Sequence, residues 1–201
     1  MIAVIDYDGG NTKSILNVLD RCGIDFIVTH DEKQINKCSK LILPGVSNFS
    51  FCMESLKRKA LDEIIIDFAL VKKKPFLGIC SGMQVLGSFS EEGNTKGLNI
   101  IPGKIKKIPI ENARIVPHVG WNKVNFRDSV ITKGIENNSR FYFCHSYFYE
   151  PENVNHSLMK TFYGIEFCSA IKSENIFGIQ FHPEKSLLEG MKIIQNFSNY
   201  L

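Results

Sequence analysis

Short β-branched runs alternate with helix-period segments through roughly the first ninety residues, and no other feature constrains the fold as much. Residues 2–7 read as a buried strand, ended by Asp8-Gly9-Gly10. Asn11 and Thr12 then offer caps for a helix that carries Ile15, Leu16, Leu19 and Cys22 on one face and closes at Gly23. Residues 25–29 and 40–43 read as further strands, the second stopped by Pro44-Gly45. Residues 49–70 have helical spacing, with a break expected near Ala60. Residues 75–79 form another short apolar strand, and residues 82–89 open a helix. This alternation calls for right-handed βαβ units, and so for a mostly parallel central sheet flanked by helices.

After Gly93 the texture changes. Short apolar stretches separated by turn residues (104–109, 118–126, 140–149, 161–171 and 176–181) predict a strand-rich, partly antiparallel second half. Ser186 then caps a last helix with Leu187, Met191, Ile194 and Phe197 on its inner face. At 201 residues the chain is long enough for one domain with a sizeable core, and residues 1–201 are read as that domain. A net charge of +3 with scattered Lys and Arg lacks the basic footprint that nucleic acid requires. The six cysteines have neither framework spacing nor a CxxC pair, so disulfides, a zinc ribbon and a thioredoxin-type motif are not expected. No metal or cofactor site is expected either. No apolar run reaches the ~18 residues a spanning helix needs. The first residues meet Asp6 without a basic n-region, unlike a signal peptide. Thus a soluble protein of a reducing cytoplasm, with no membrane contact, is expected.

The sharpest local signal is Phe76-Leu77-Gly78-Ile79-Cys80-Ser81-Gly82. A buried strand runs into G-x-C-x-G and then into a helix, the pattern of a nucleophile elbow with cysteine in place of serine. Flanking glycines are needed because the turn is tight and the nucleophile's backbone is strained. The turn presents the sulfur at the C-terminal edge of the sheet, where open α/β sheets bind ligands. The N–H of Ser81 would then face a developing oxyanion. The bland alternative is a structural cysteine beside chance glycines, but strand, elbow and helix coincide.

A cysteine nucleophile needs a base. His30 and His156 lie in polar, loop-like surroundings, and His118 follows Pro117. His182 differs, because Gly178-Ile179-Gln180-Phe181-His182-Pro183-Glu184 ends a buried strand with H-x-E. Residues two apart in an extended chain share a side, so Glu184 can reach the imidazole and fix its tautomer. Cys80, His182 and Glu184 therefore read as a cysteine triad.

With these residues in view, the chain resembles the class I (triad) glutamine amidotransferases. More narrowly it resembles the glutaminase subunits of imidazole glycerol phosphate synthase. The match runs end to end, through Ile5-Asp6-Tyr7-Asp8-Gly9-Gly10-Asn11, Leu41-Ile42-Leu43-Pro44-Gly45-Val46, the elbow up to Gln84, Ser90-Glu91-Glu92-Gly93, Pro117-His118-Val119-Gly120-Trp121-Asn122, Phe141 to Tyr147, and Phe177 to Ser186. The elbow and H-P-E belong to the whole class, whereas G-W-N, F-Y-F-x-H-S-Y and H-P-E-K-S point to the narrower family.

The resemblance implies a flavodoxin-like fold and a specific chemistry. Cys80 would attack the side-chain amide of glutamine, His182 would shuttle the proton, and water would hydrolyse the γ-glutamyl thioester. Gln84 and Glu92 would hold the amino-acid end of glutamine. His145, Ser146 and Tyr147 would line the opposite wall, and Gly45, Val46 and Ser47 would supply an oxyanion N–H beside that of Ser81. Ammonia would pass to a (β/α)₈-barrel synthase subunit in a heterodimer, with Asn11, Trp121, Asn122, Tyr142 and Lys185 at the interface. The sequence departs from the family at Ser47, where glycine is usual, at Ser81, where leucine is usual, and at Asp8, another glycine position. These departures raise an alternative, a paralogue feeding a related synthase such as one in surface-sugar amidination. A stand-alone cysteine amidase would not need the Gln84, Glu92 and H-S-Y clamp. A non-catalytic subunit would have lost a triad member, and none is lost.

Overall fold

A computed structural model describes residues 1–10, 12–109, 111 and 115–200. The first half alternates as its periodicity requires: β1 (Ile2–Ile5), α1 (Thr12–Arg21), β2 (Phe26–Thr29), α2 (Glu32–Lys37), β3 (Lys40–Gly45), α3 (Phe49–Arg58), α4 (Leu61–Ile66), β4 (Phe76–Cys80) and α5 (Ser81–Gln84). The break expected at Ala60 is real, with φ 52 between α3 and α4. Asn11, read as a cap, lies outside the described residues.

The second half contains β5 (Phe89–Ser90), β6 (Thr95–Lys96), β7 (Gly103–Lys107), β8 (His118–Lys123), β9 (Asn125–Phe126), β10 (Arg140–His145), β11 (Tyr147–Pro151), β12 (Ser157–Tyr163), β13 (Ile165–Ser173), β14 (Ile176–Ile179) and α6 (Leu187–Ser198). The main sheet runs β2-β1-β3-β4-β14-β13-β11-β7-β5-β6. Its strands are parallel from β2 through β14, and β13 and β11 continue it antiparallel. The parallel strands β1 and β4 are buried along their whole length, which is why they read as continuous apolar runs. Strands β8 and β10 form a separate two-stranded ribbon. Apolar side chains fill both faces of the sheet. One cluster centres on Val4, Ile79, Phe141, Phe177 and Phe197, the other on Ile5, Leu43, Phe68, Met83 and Tyr149.

Four expectations need correction. The helix expected over residues 82–89 lasts one turn, because N–H groups of residues 98–101 take the carbonyls of Val85, Leu86 and Gly87 and draw that segment into a loop packed on the elbow. The single strand expected over 161–171 is the hairpin β12–β13, reversed at Gly164 with φ 73. Residues 140–149 divide at Ser146 into β10 and β11, which belong to different sheets. Leu187 does not face the core; it is exposed, as is Leu188, while Gly190, Ile193, Ile194 and Phe197 face inward. Leu187 has φ 51, off the helical value that the apolar stripe assumes, whereas Gly190 lies so close to the 183–185 turn that a Cβ there would run into the Pro183 carbonyl.

Candidate active site

The elbow has the strained geometry that its glycines anticipate. Cys80 ends β4 with φ 55 and ψ −115, outside the regions an L-residue ordinarily occupies. Gly82 lies so close to the end of β3 that a Cβ there would collide with the Leu43 carbonyl, and Gly78 is closed in by Gly82 in the same way. These two contacts explain G-x-C-x-G: the turn is folded too tightly for side chains on either side of the cysteine. Parallel pairing aligns Gly45 of β3 with Cys80, so the segment after Pro44 lies beside the sulfur.

His182 follows β14, the strand next to β4. Its Nδ1 lies 2.9 Å from Glu184 Oε1, and the two side chains are only 4% and 7% exposed. Burial by itself would lower the imidazole pKa. Hydrogen bonds and charge interaction with Cys80 and Glu184 outweigh it and push the pKa up to about 10. With Nδ1 engaged by Glu184, Nε2 is the nitrogen free to meet the sulfur. Two residues about a hundred positions from Cys80 are thus brought to it by adjacent parallel strands. A 3-10 turn, Pro183–Lys185, carries the chain away from the sheet.

A cavity of about 210 Å³ opens on the sulfur, lined by Val46, Ser47, Asn48, Ser81, Gln84, Glu92 and Tyr147 among others. Gln84 Nε2 donates to the Tyr147 carbonyl at 3.0 Å and to Gln180 Oε1 at 2.9 Å, which leaves its own oxygen for a ligand. Glu92 Oε2 accepts the Phe49 N–H at the start of α3 at 2.8 Å, leaving Oε1 as the second oxygen of the carboxylate. Ser146 and the half-buried Tyr147 form the far wall. His145 also lines the cavity but is buried, with Nδ1 2.9 Å from the Tyr147 carbonyl and Nε2 3.0 Å from His118 Nδ1. Burial lowers its pKa to about 3 and that of His118 to about 4, so both rings are neutral. Gly45 packs against Ser81 beneath the loop. The N–H groups of Val46 and Ser47 donate to the Gly9 carbonyl at 3.0 and 3.3 Å.

Three of the expected interface residues sit together. The Lys185 ammonium lies 5.3 Å over the Tyr142 ring, and Trp121 meets that ring edge-on at 6.1 Å. Asn122 turns away from them, donating to the Phe162 carbonyl at 2.9 Å and approaching His118 Nε2 at 3.3 Å. Asn11 is outside the described residues. Asp8 has φ 69, the conformation for which glycine is suited, and its carboxylate is held by Lys59 at 3.0 Å and Arg58 at 3.2 Å.

Sequence reasoning overlooked Asn48, Pro117 and Cys144 at the cavity, and Gln180 behind it. The signal for Gln180 was available. A glutamine between Ile179 and Phe181 in a buried segment, two residues before His182, shares His182's side of the chain.

Residues 3–199 match the model of the class-I glutamine amidotransferase family, and the chain belongs to that family. Solved structures agree at the level of fold. A PurLQS structure from Thermotoga maritima superposes with a TM-score of 0.75 at 20% identity, covering 99% of this chain and 97% of that one. A glutamine amidotransferase from the same organism superposes with a TM-score of 0.72 at 13% identity, covering 99% and 98%. Within the family the chain groups with the imidazole glycerol phosphate synthase HisH subunits. It is 46% identical over 198 residues to "Imidazole glycerol phosphate synthase subunit HisH 2" of Methanococcus maripaludis, covering 98% of each. It is 40% identical over 203 residues to the HisH subunit of Leptospira interrogans, covering 99% of this chain and 100% of that protein.

Proposed function

We propose that this chain is the glutaminase subunit of an imidazole glycerol phosphate synthase. It hydrolyses L-glutamine to glutamate and ammonia and hands the ammonia to a barrel-type synthase subunit in a heterodimer. The observation that carries the reading is the strained Cys80 elbow, with the buried His182–Glu184 pair against its sulfur.

The ammonium of glutamine lies against the open oxygens of Gln84 and Glu92, and its side-chain amide reaches Cys80. The sulfur bonds to the amide carbon while His182 holds the thiol proton, its positive charge stabilised by Glu184. The tetrahedral intermediate collapses as His182 protonates the leaving nitrogen, which releases ammonia and leaves a γ-glutamyl thioester. A water molecule then gives a proton to His182 and attacks the thioester carbon. Glutamate departs, and the proton returns to the sulfur.

Both N–H groups of the Val46–Ser47 segment are engaged by Gly9, so that half of the oxyanion site is turned off in the free chain. Ser81 N–H remains as the other donor. Partner docking turns the segment's donors toward the substrate, which ties hydrolysis to a waiting acceptor. The Trp121, Tyr142 and Lys185 cluster supports docking at this end. Tyr142 is joined to the His182 turn by His182 N–H to the Tyr142 carbonyl at 2.8 Å, and by Tyr142 N–H to Ser186 Oγ at 3.0 Å. Cysteines Cys22, Cys38, Cys52, Cys80, Cys144 and Cys168 are all free, as befits a cytoplasmic enzyme, and among the described residues no helix is long and apolar enough to cross a membrane.

The test is Cys80→Ala in complex with the synthase. Glutamate release is expected to fall to background while ammonia-dependent synthesis survives. A glutamine-like electrophile is expected to label Cys80 and spare the other thiols. Near-normal release by the variant would remove the mechanism.

A further inference from the structure

Behind the nucleophile sits a polar side chain that the mechanism above leaves unused. Gln180 is fully buried in the step between β14 and His182. Its Oε1 accepts from Gln84 Nε2 at 2.9 Å, and its Nε2 lies 3.6 Å from Cys80 Sγ. The orientation of this amide follows from its neighbours. The Tyr147 carbonyl can only accept, so Gln84 turns its nitrogen toward both Tyr147 and Gln180. Gln180 must then offer its oxygen to Gln84, which leaves its N–H for the sulfur. The Gln180 backbone N–H is itself anchored on the Ser169 carbonyl at 2.9 Å.

We propose that Gln180 is a positioning residue whose side-chain N–H holds the Cys80 sulfur at the elbow and, through the same amide, fixes Gln84 for the ligand. The inference rests on Cys80 being the nucleophile. Each group facing the sulfur bears on it differently. The Cys144 carbonyl, 4.0 Å away, can only accept and favours the protonated thiol. Tyr7 and Cys52 lie near, and burial raises both pKa values, so neither adds a competing negative charge near neutral pH. His145 is neutral. His182 supplies positive charge, with Glu184 acting through it. Gln180 is the uncharged side-chain donor to the sulfur among the described residues, and a donor N–H stabilises the anion over the thiol.

The test follows Cys80 without needing turnover. The pH dependence of Cys80 alkylation by iodoacetamide, assigned by peptide mass, is measured in the wild-type chain and in Gln180→Met and Gln180→Leu. Both variants should move the midpoint upward by about one pH unit. In the wild type, the Gln180 side-chain amide NMR signals should titrate with that same midpoint, and Cys80→Ala should abolish this titration. The amide measurement decides the matter even where a variant fails to fold. An unchanged alkylation midpoint in a folded variant, or an amide signal indifferent to Cys80 ionisation, overturns the proposal. Neither readout uses glutamine, so a chain that alkylates as expected but releases no glutamate even with the synthase and its acceptor bound would refute the glutaminase reading and leave this one standing.

Discussion

Glu184 is buried with one oxygen on His182 Nδ1, and that single contact defines what the residue can contribute. It fixes the tautomer and favours the imidazolium, whereas Gln84 and Glu92 line the cavity that opens on the sulfur and, in the proposed function, hold the substrate. Glu184→Gln keeps the shape but removes the charge. Measured in the activated complex, it is expected to lower kcat for glutamate release by roughly 10²-fold with little change in KM. An effect confined to KM would assign Glu184 to binding. The departure at Asp8 has an equally local cause: a left-handed φ that glycine would adopt freely is occupied by a carboxylate anchored by Lys59 and Arg58.

In the proposed function, the element that switches activity is the segment between β3 and α3. Its Val46 and Ser47 N–H groups point to Gly9, and Ser47 holds an ordinary backbone conformation there. Rotating the Val46–Ser47 peptide toward the substrate carries Ser47 toward positive φ, which costs about 1–2 kcal/mol for a residue with a Cβ and little for glycine. Ser47→Gly is therefore expected to raise glutaminase activity of the free chain by about fivefold or more. The synthase with its acceptor bound should raise the wild type by roughly 10²–10³-fold, the worth of one oxyanion donor. Glutamate release with and without the partner checks both. Full activity in the lone wild-type chain, indifferent to Ser47→Gly, would mean that the segment is no switch.

Across the whole molecule, the buried pair His118 and His145 ties the β8–β10 ribbon to the wall of the site. His145 donates from Nδ1 to the Tyr147 carbonyl, so its Nε2 accepts from His118 Nδ1, and Asn122 donates to His118 Nε2. Every position in this relay is filled by neutral rings, and a proton added to either would break it. Both folded-state pKa values, about 4 and about 3, lie below the ordinary value of 6.5. Below pH ~6.5 the unfolded chain therefore binds protons that the folded chain refuses. Their stabilising contribution is complete above that pH and is lost as pH falls toward 4 and then 3, at up to about 1.4 kcal/mol per pH unit for each ring. His182 has the opposite sign. Its raised pKa stabilises fully below 6.5 and is lost as pH rises toward 10, so it leaves the acid slope untouched. Urea unfolding midpoints between pH 4.5 and 6.5 should fall steeply in the wild type. In His118→Phe, which fits between the rings of Phe143 and Tyr163, they should fall about one proton's worth less steeply. Equal slopes would show that the pair titrates in the folded state.

The sequence by itself determined the elements whose causes are local. The alternating β-branched strands and helices, the break at Ala60, the elbow at Cys80 and the H-x-E pair all rest on periodicity or on residues a few positions apart, and each is found where its pattern stands. The cavity wall at Gln84, Glu92 and Tyr147 was reached only through family resemblance, because nothing in those segments alone demands that they meet. Tertiary structure decided what depends on distant partners. The one-turn α5 is cut short by carbonyl acceptors claimed by residues 98–101, and residues 140–149 divide between two sheets because their hydrogen-bond partners lie on different strands. The direction of the Val46 and Ser47 N–H groups is set by Gly9, and the donor role of Gln180 by Tyr147 through Gln84. A local pattern states which conformation a segment prefers. Which acceptor a given N–H finds depends on the strand or loop that the fold brings beside it.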